Sequence, residues 1–303
     1  MMPLVRLNKT NRAYEARNLI SYLTIIYGFA DAPTGPRCYR GQSDSAWKVK
    51  PSVMRELKPD AENQILSELL VEAPNEFGSD KSMFDKLVRA QHYSLPTRLL
   101  DVTLNPLVGL YFACNEEEYR QKDGVVQVFD FQKNREKFSD SDTVSIICNL
   151  SRLSDNERKK ILSSYNKVGP KVADWNDENK KTFRSKPETK RLMQFVRVEK
   201  PYFLDVINPL DLFRYYFVYP SKNNKRVIAQ SGAFIAAGLL QYRSLEQSTG
   251  LKHKKIIIPA ECKKEIISQL DALNINSRTM FPEIEFTSKY IKRKWTVQSD
   301  PLS

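Results

Sequence analysis

Histidine is nearly missing from this chain, with only His92 and His253 in 303 residues. Neither has a second His at helical spacing, so the usual ligand patterns of a metal-dependent hydrolase are absent. Cysteine is also scarce. Cys38, Cys114, Cys148 and Cys262 lie dozens of residues apart with no C-x-x-C pair, which fits neither a disulfide framework nor a clustered zinc site. They read as reduced, buried, small hydrophobes. Long apolar runs are missing too. Gly232–Leu240 and Leu107–Cys114 fall well short of the ~18 residues a bilayer span needs. The opening MMPLVRLNKT holds no apolar signal-peptide core, which gives the expectation of a cytoplasmic location and no membrane partner.

What is present is charge of one sign. Forty-eight Lys and Arg stand against thirty-six Asp and Glu, a formal +12, and such an excess attracts polyanions, nucleic acid foremost. A generally basic protein accounts for the same number. Its distribution tilts toward nucleic acid. Arg152–Lys200 is rich in cations and interleaves Tyr165, Trp175 and Phe183, and the tail repeats the pattern with Lys289, Tyr290, Lys292, Arg293, Lys294 and Trp295. Cations that follow phosphates and rings that stack on bases suit a single strand. A solvated insertion has the same composition.

The periodicity predicts an α+β chain. Helical spacing runs from Asn11 to Tyr27, ending near Gly28, and recurs over Asp60–Leu70, Ser82–His92, Pro106–Glu118 and Glu261–Leu273. Extended pieces fall at Arg37–Gly41, Leu95–Thr103 and Val125–Phe131. Short apolar segments follow at Val196–Val198, Tyr202–Asp205, Ala233–Ala237 and Lys255–Ile258. One domain over 1–303, with N-terminal helices and a basic insertion at 151–195, accounts for the pattern. Strands are expected to cluster late.

Three clusters set polar residues beside apolar ones. In the first, Arg40 at a strand end precedes Gly41 and Gln42; a glycine lets a ligand approach the backbone while a guanidinium fork grips phosphate or hydroxyl. A turn with a surface arginine reads the same way. The second runs from Gln91 and His92 to Thr103. Alternation puts Arg98, Leu100 and Val102 on one face and Leu99, Asp101 and Thr103 on the other, although Asp101 equally suits a helix start. The third, Arg226–Phe234, sets Gln230, Ser231 and Gly232 before an apolar strand, where a loop end is the plain alternative.

The ordered set Tyr39-Arg40-Gly41-Gln42, Trp47, Pro51-Ser52, Arg55, His92-Tyr93, Pro96 to Thr103, Asn105-Pro106-Leu107, Leu110 to Ala113 and Gln230 to Phe234 resembles the FRG domain family. That family is named for a Phe-Arg-Gly triplet, with Tyr39 here in place of Phe. Ile256 to Pro259 and Phe281-Pro282-Glu283 look like the family's end, so the resemblance spans about Arg37 to Glu285. The layout is also similar to the Arg-Ser-Glu pattern of ADP-ribosyltransferases, which implies a split β-sheet core and NAD as ADP-ribose donor, with no metal.

On that resemblance Arg40, Asp101 and Gln230 take the catalytic positions. Arg40, Gly41, Gln42, Tyr93, Thr97, Arg98, Thr103 and Tyr111 take the NAD-binding ones. Gln230 stands where those enzymes carry a glutamate and can only orient the ribose, so a carboxylate from elsewhere, Glu283 or Glu285, is a candidate to replace it, with plain surface charges as the alternative reading of both. Tyr93 or Tyr111 would stack on nicotinamide, or pack in the core. Asp101 would pair with Arg98 or Arg40, or activate the acceptor. The implied function is transfer of ADP-ribose to nucleic acid, RNA before duplex DNA, by a bacterial toxin of phage-defence or toxin–antitoxin type, restrained by an acidic antitoxin. The alternatives are a module that senses a nucleotide or binds nucleic acid without chemistry, and a metal-dependent nuclease.

Overall fold

Nine strands, among the residues described, form one mixed sheet. The computed structural model describes residues 6–8, 13–29, 34–55, 57–58, 60–239, 245 and 248–295. The strands are β1 (Arg6–Asn8), β2 (Ala13–Glu15), β3 (Arg37–Gln42), β4 (Leu99–Thr103), β5 (Gly124–Phe131), β6 (Glu136–Phe138), β7 (Tyr215–Tyr219), β8 (Gly232–Ala237) and β9 (Leu251–Ile258). Their order across the sheet is β1-β2-β9-β5-β3-β4-β8-β7-β6. β2 runs parallel to β9 and β6 parallel to β7, and the other neighbours are antiparallel. The expected α+β class is observed.

Period-2 alternation explains how helices cover this sheet. From the β9-β5-β3 half, Tyr39, Val126, Val128, Ile256 and Ile258 pack against the helices Leu19–Tyr27, Pro106–Cys114 and Lys263–Ala272. From the β4-β8-β7 half, Leu99, Phe234, Ala236, Tyr216 and Val218 pack against Met83–His92, Asp142–Asn149 and Pro187–Glu199. The alternate residues Cys38, Leu100, Val102, Phe129, Phe217 and Ile235 share a third core that bridges both halves. All four cysteines are buried free thiols.

The two halves barely touch through hydrogen-bonded pairing. β3 pairs with β5 over all six residues, and β4 with β8 over all five. Between β3 and β4 the single register pair is Tyr39↔Thr103. Beyond it the ladder opens beside Arg40, Gly41 and Gln42. The helix Pro106–Cys114 braces this opening. Asn105 caps it by accepting from the Leu107 amide, and Pro106 sits where a missing N–H costs nothing. A Cβ on Gly41 would lie 2.1 Å from the Gly109 carbonyl oxygen and 2.5 Å from the Ala113 nitrogen, so only glycine lets strand and helix come this close.

Several expectations are revised. Among the described residues β1 and β2 precede the first helix, which starts at Leu19 under an Asn18–Ser21 capping box; Asn11 and Arg12 lie outside the described residues. Strands are spread along the chain rather than clustered late. β7 reads YYFVY, a run buried at four of its five positions that shows no alternation to mark it as a strand. Val196–Val198 belongs to the helix Pro187–Glu199, and Tyr202–Asp205 forms no strand.

The basic stretch is not an irregular insertion. It holds the helices Asp155–Val168, Asp177–Ser185 and Pro187–Glu199, and Ile161, Trp175, Phe183, Leu192 and Val196 enter the same core as β4 and β8. Tyr165 stacks between Trp175 and Phe213, Trp175 meets Phe183 edge-on, and the Trp175 indole N–H donates to the Gly169 carbonyl at 2.8 Å. Rings used this way cannot stack on bases. The side chains of Lys289, Arg293, Lys294 and Trp295 lie outside the described residues, as does that of Glu285. Among the described residues no helix is long and apolar enough to cross a membrane.

Candidate functional site

A cleft of ≈ 330 Å³ opens where β3 and β4 part. Arg40, Gly41 and Gln42 from β3 and Asp101 to Thr103 from β4 line it, together with Arg55, His92, Arg226, Gln230 and Gly232. It therefore unites residues from all three polar clusters of the sequence.

Arg40 spans the gap. Its Nη1 donates to the Asp101 carbonyl at 2.7 Å, a side-chain link where the β3–β4 ladder has stopped. Its Nε is shielded from solvent and makes no hydrogen bond. Burial pulls the guanidinium below the ordinary arginine value, nearby Arg55 acts in the same direction, and Asp101 opposes both. Arg55 is also lowered by burial and is held by two bonds to the Lys50 carbonyl, at 2.9 and 2.7 Å. Arg226 lies 4.6 Å over the Phe281 ring. Three fixed guanidiniums thus face one small cleft, against the carboxylates of Asp101 and Glu116. Burial raises the Glu116 carboxyl, and Lys263 partly offsets that.

The opposite wall is held by a relay of hydrogen bonds. The Asp101 carboxylate accepts from Gln91 Nε2, and Gln91 Oε1 accepts from Thr97 Oγ1 at 2.6 Å. Thr97 Oγ1 in turn accepts from the Leu99 amide at 3.1 Å. Asp101 is thus anchored at both its carboxylate and its carbonyl. Thr103 Oγ1 donates to the Gln230 carbonyl at 2.7 Å, binding the end of β4 to the turn before β8. Gln230 caps the helix Lys225–Ala229, and Ser231 then adopts a left-handed φ of 48° to enter β8. The Gln230 amide donates to the Met280 carbonyl at 3.0 Å. Gln42 Oε1 accepts from Gln127 Nε2 at 2.8 Å, and Gln127 Oε1 meets His253 Nε2 at 2.7 Å.

Of the residues assigned from sequence, Arg40, Gly41, Gln42, Asp101, Thr103 and Gln230 line the cleft. Four do not. Arg98 is buried and turned away, its Nε and Nη2 gripping Glu62 at 2.7 and 2.6 Å and its Nη1 donating to the Ala237 carbonyl. It is a structural cation, and neither it nor any pairing with Asp101 serves the cleft. Tyr111 lies on the helix Pro106–Cys114 and packs into the core. Thr97 is buried and acts through Gln91. Tyr93 is half exposed and donates to Glu76 at 2.9 Å.

Sequence spacing gives no sign of Glu116 or Asn224, which reach the cleft from loops between elements, nor of the inward turn of Gln91 and His92. Among the described residues no group of three or more His, Cys, Asp or Glu side chains is placed to hold a metal.

The fold and cleft define a mixed α+β protein with an arginine-lined opening in its central sheet. Residues 36–122 match the FRG domain. That stretch contains Arg40, Gly41, Gln42, Asp101 and Thr103, whereas Gln230 and the segment around Glu283 lie beyond the match. No curated protein and no solved structure matches the chain.

Proposed function

We propose that the chain is an ADP-ribosyltransferase that takes ADP-ribose from NAD and passes it to RNA. The observation that carries the reading is the cleft at the break between β3 and β4, where Arg40, Arg55 and Arg226 converge and Arg40 keeps a shielded, unpartnered Nε. A dinucleotide suits this donor set, because its pyrophosphate is a dianion and guanidinium forks bind phosphate oxygens with paired bonds. At ≈ 330 Å³ the cleft is at the small end of ligand sites, so it would enclose one half of NAD and leave the other across the rim.

The chain's own residues support transfer in distinct ways. Arg40 would hold phosphate or ribose oxygens, with Asp101 fixing its fork from across the gap. Gln230 would orient ribose hydroxyls. Breaking the nicotinamide–ribose bond develops positive charge on the sugar, as in glycoside cleavage, and the carboxylates of Asp101 and Glu116 in the cleft wall favour that charge. RNA as acceptor rests on the formal charge of +12, since Trp175, Tyr165 and Phe183 are committed to the core. Tyr93, half exposed next to His92, offers a ring outside the cleft for an unstacked base. A toxin restrained by an acidic antitoxin belongs to the same proposal.

A second reading, a module that senses a nucleotide without chemistry, is favoured by one contact. The Gln230 amide is already engaged with Met280, and it replaces the carboxylate that the transferase pattern carries.

Incubating the purified protein with adenylate-labelled NAD and, separately, RNA, DNA and cell protein tests these readings. Label is expected in RNA and should be lost in Arg40→Ala, with nicotinamide released in step. Label in protein keeps the chemistry and changes the acceptor. NAD bound but intact supports the sensor and sinks the transferase.

A further inference from the structure

His92 lines the cleft, yet the transfer described above gives it no task. It is the last residue of the helix Met83–His92, and its Nε2 faces the Glu283 carboxylate at 3.6 Å, just beyond hydrogen-bond length. The second Glu283 oxygen, Oε2, is shielded from solvent and makes no hydrogen bond. A shielded carboxylate oxygen without a donor is costly, so its place beside His92 calls for an explanation.

The segment carrying Glu283 is fixed at two places beside the cleft. The Gln230 amide grips the Met280 carbonyl, and Arg226 lies over Phe281. Gln230 thus tethers, at a distance of three residues, a carboxylate that its own position lacks.

We propose that His92 and Glu283 form an acid–base pair in which His92 takes the proton of the acceptor and Glu283 orients the imidazole from behind. This rests on the transferase reading. In the step, the acceptor oxygen or nitrogen bonds to C1′ of the nicotinamide ribose. The bond from C1′ to nicotinamide breaks, its electron pair leaving with neutral nicotinamide. The acceptor proton passes to His92 Nδ1, the ring nitrogen that does not face Glu283, and then to water. Atoms and charge balance with NAD and acceptor alone. His92 acts at the substrate; Glu283 is a positioning residue.

The charges around the imidazole come from four elements. Arg226 approaches from the helix Lys225–Ala229, Glu283 from the segment before the helix Ile284–Trp295, Asp101 from β4, and Arg89 from His92's own helix. Burial and the two arginines lower the imidazole's pKa from its ordinary value, and the carboxylates oppose them.

Only two histidines are present, so the His92 imidazole resonance is identified by its loss in His92→Gln. Full-length wild type, His92→Gln and Glu283→Gln would be compared for NAD affinity, label transfer with pH, and the His92 titration by NMR. His92→Gln should lose about 100-fold or more in transfer rate, beyond any change in NAD affinity, as general-base removal does. Glu283→Gln should lower the His92 pKa, shift the rise of the pH–rate profile to lower pH, and reduce the plateau. Wild-type transfer with an undiminished His92→Gln rate overturns the base role alone. An unmoved His92 titration in Glu283→Gln overturns the pair. Wild type that releases no nicotinamide and labels no acceptor overturns the transferase reading and the base role with it.

Discussion

Arg40 in β3 and Arg98 just before the neighbouring β4 both lie in the stretch that matches the FRG domain, and the structure uses them in opposite ways. Around Arg98 every charge is answered. Its guanidinium clasps Glu62, Arg158 adds a third contact to the same carboxylate at 2.8 Å, and the cluster ties the helix Ala61–Glu72, β4 and the helix Asp155–Val168 into one core. Around Arg40 the accounting is incomplete. One Nη bonds a carbonyl, Nε bonds nothing, and the nearest guanidinium repels it. A buried cation with a matched carboxylate holds a fold together; one with a spare donor beside a cleft is poised for a ligand.

The largest effect expected from this contrast is on stability. Arg98→Ala leaves Glu62 buried with only Arg158, which should cost about 3 kcal/mol, the low end for a broken buried pair because one cation remains. Arg40→Ala should cost about 1 kcal/mol, near the worth of one hydrogen bond, while removing most anion affinity. Denaturant unfolding of both variants decides the matter. If Arg40→Ala proved the more destabilising, the cleft arginine would be structural and the contrast would collapse.

Gly41→Ala sharpens the same comparison from the backbone. The new methyl would meet the Gly109 carbonyl and the Ala113 nitrogen, neither of which can swing aside. Overpacking of this kind costs about 2 kcal/mol. The strand carrying Arg40 should also move off the helix Pro106–Cys114, so ligand affinity should fall more than the stability loss explains. Wild-type unfolding and affinity would mean that the close approach is not required.

Much of this was readable from residue order alone. Arg40-Gly41, Asp101 to Thr103 and Gln230 lie in separate polar clusters, and the sheet brings all three to one opening. Short-range spacing failed where burial depends on the partner. Nothing in the residues flanking Arg98 marks it as structural; the distant Glu62, on a helix 36 residues earlier, does that. Trp175 and Tyr165 among lysines looked like a stacking surface because the ring that completes their cluster, Phe213, lies far along the chain. β7 was hidden for a related reason: a strand covered on both faces loses the alternation that would reveal it.

The smallest expected effect concerns His92. Burial first, then Arg226, lowers its pKa in the fold, and Glu283 only partly restores it. Between the unfolded value near 6.5 and the lower folded one, the unfolded chain binds more protons, so stability should rise with pH across that window. As pH falls through it, this contribution is lost. His92→Gln carries no proton to gain and should show a flatter dependence there than wild type, measured by unfolding at a series of pH values. Arg226→Gln should narrow the window by bringing the folded pKa nearer the unfolded one, and Glu283→Gln should widen it. A wild-type profile indistinguishable from His92→Gln would mean that the cleft does not lower the imidazole's pKa, and the difference between an answered and an unanswered site would then rest on the arginines alone.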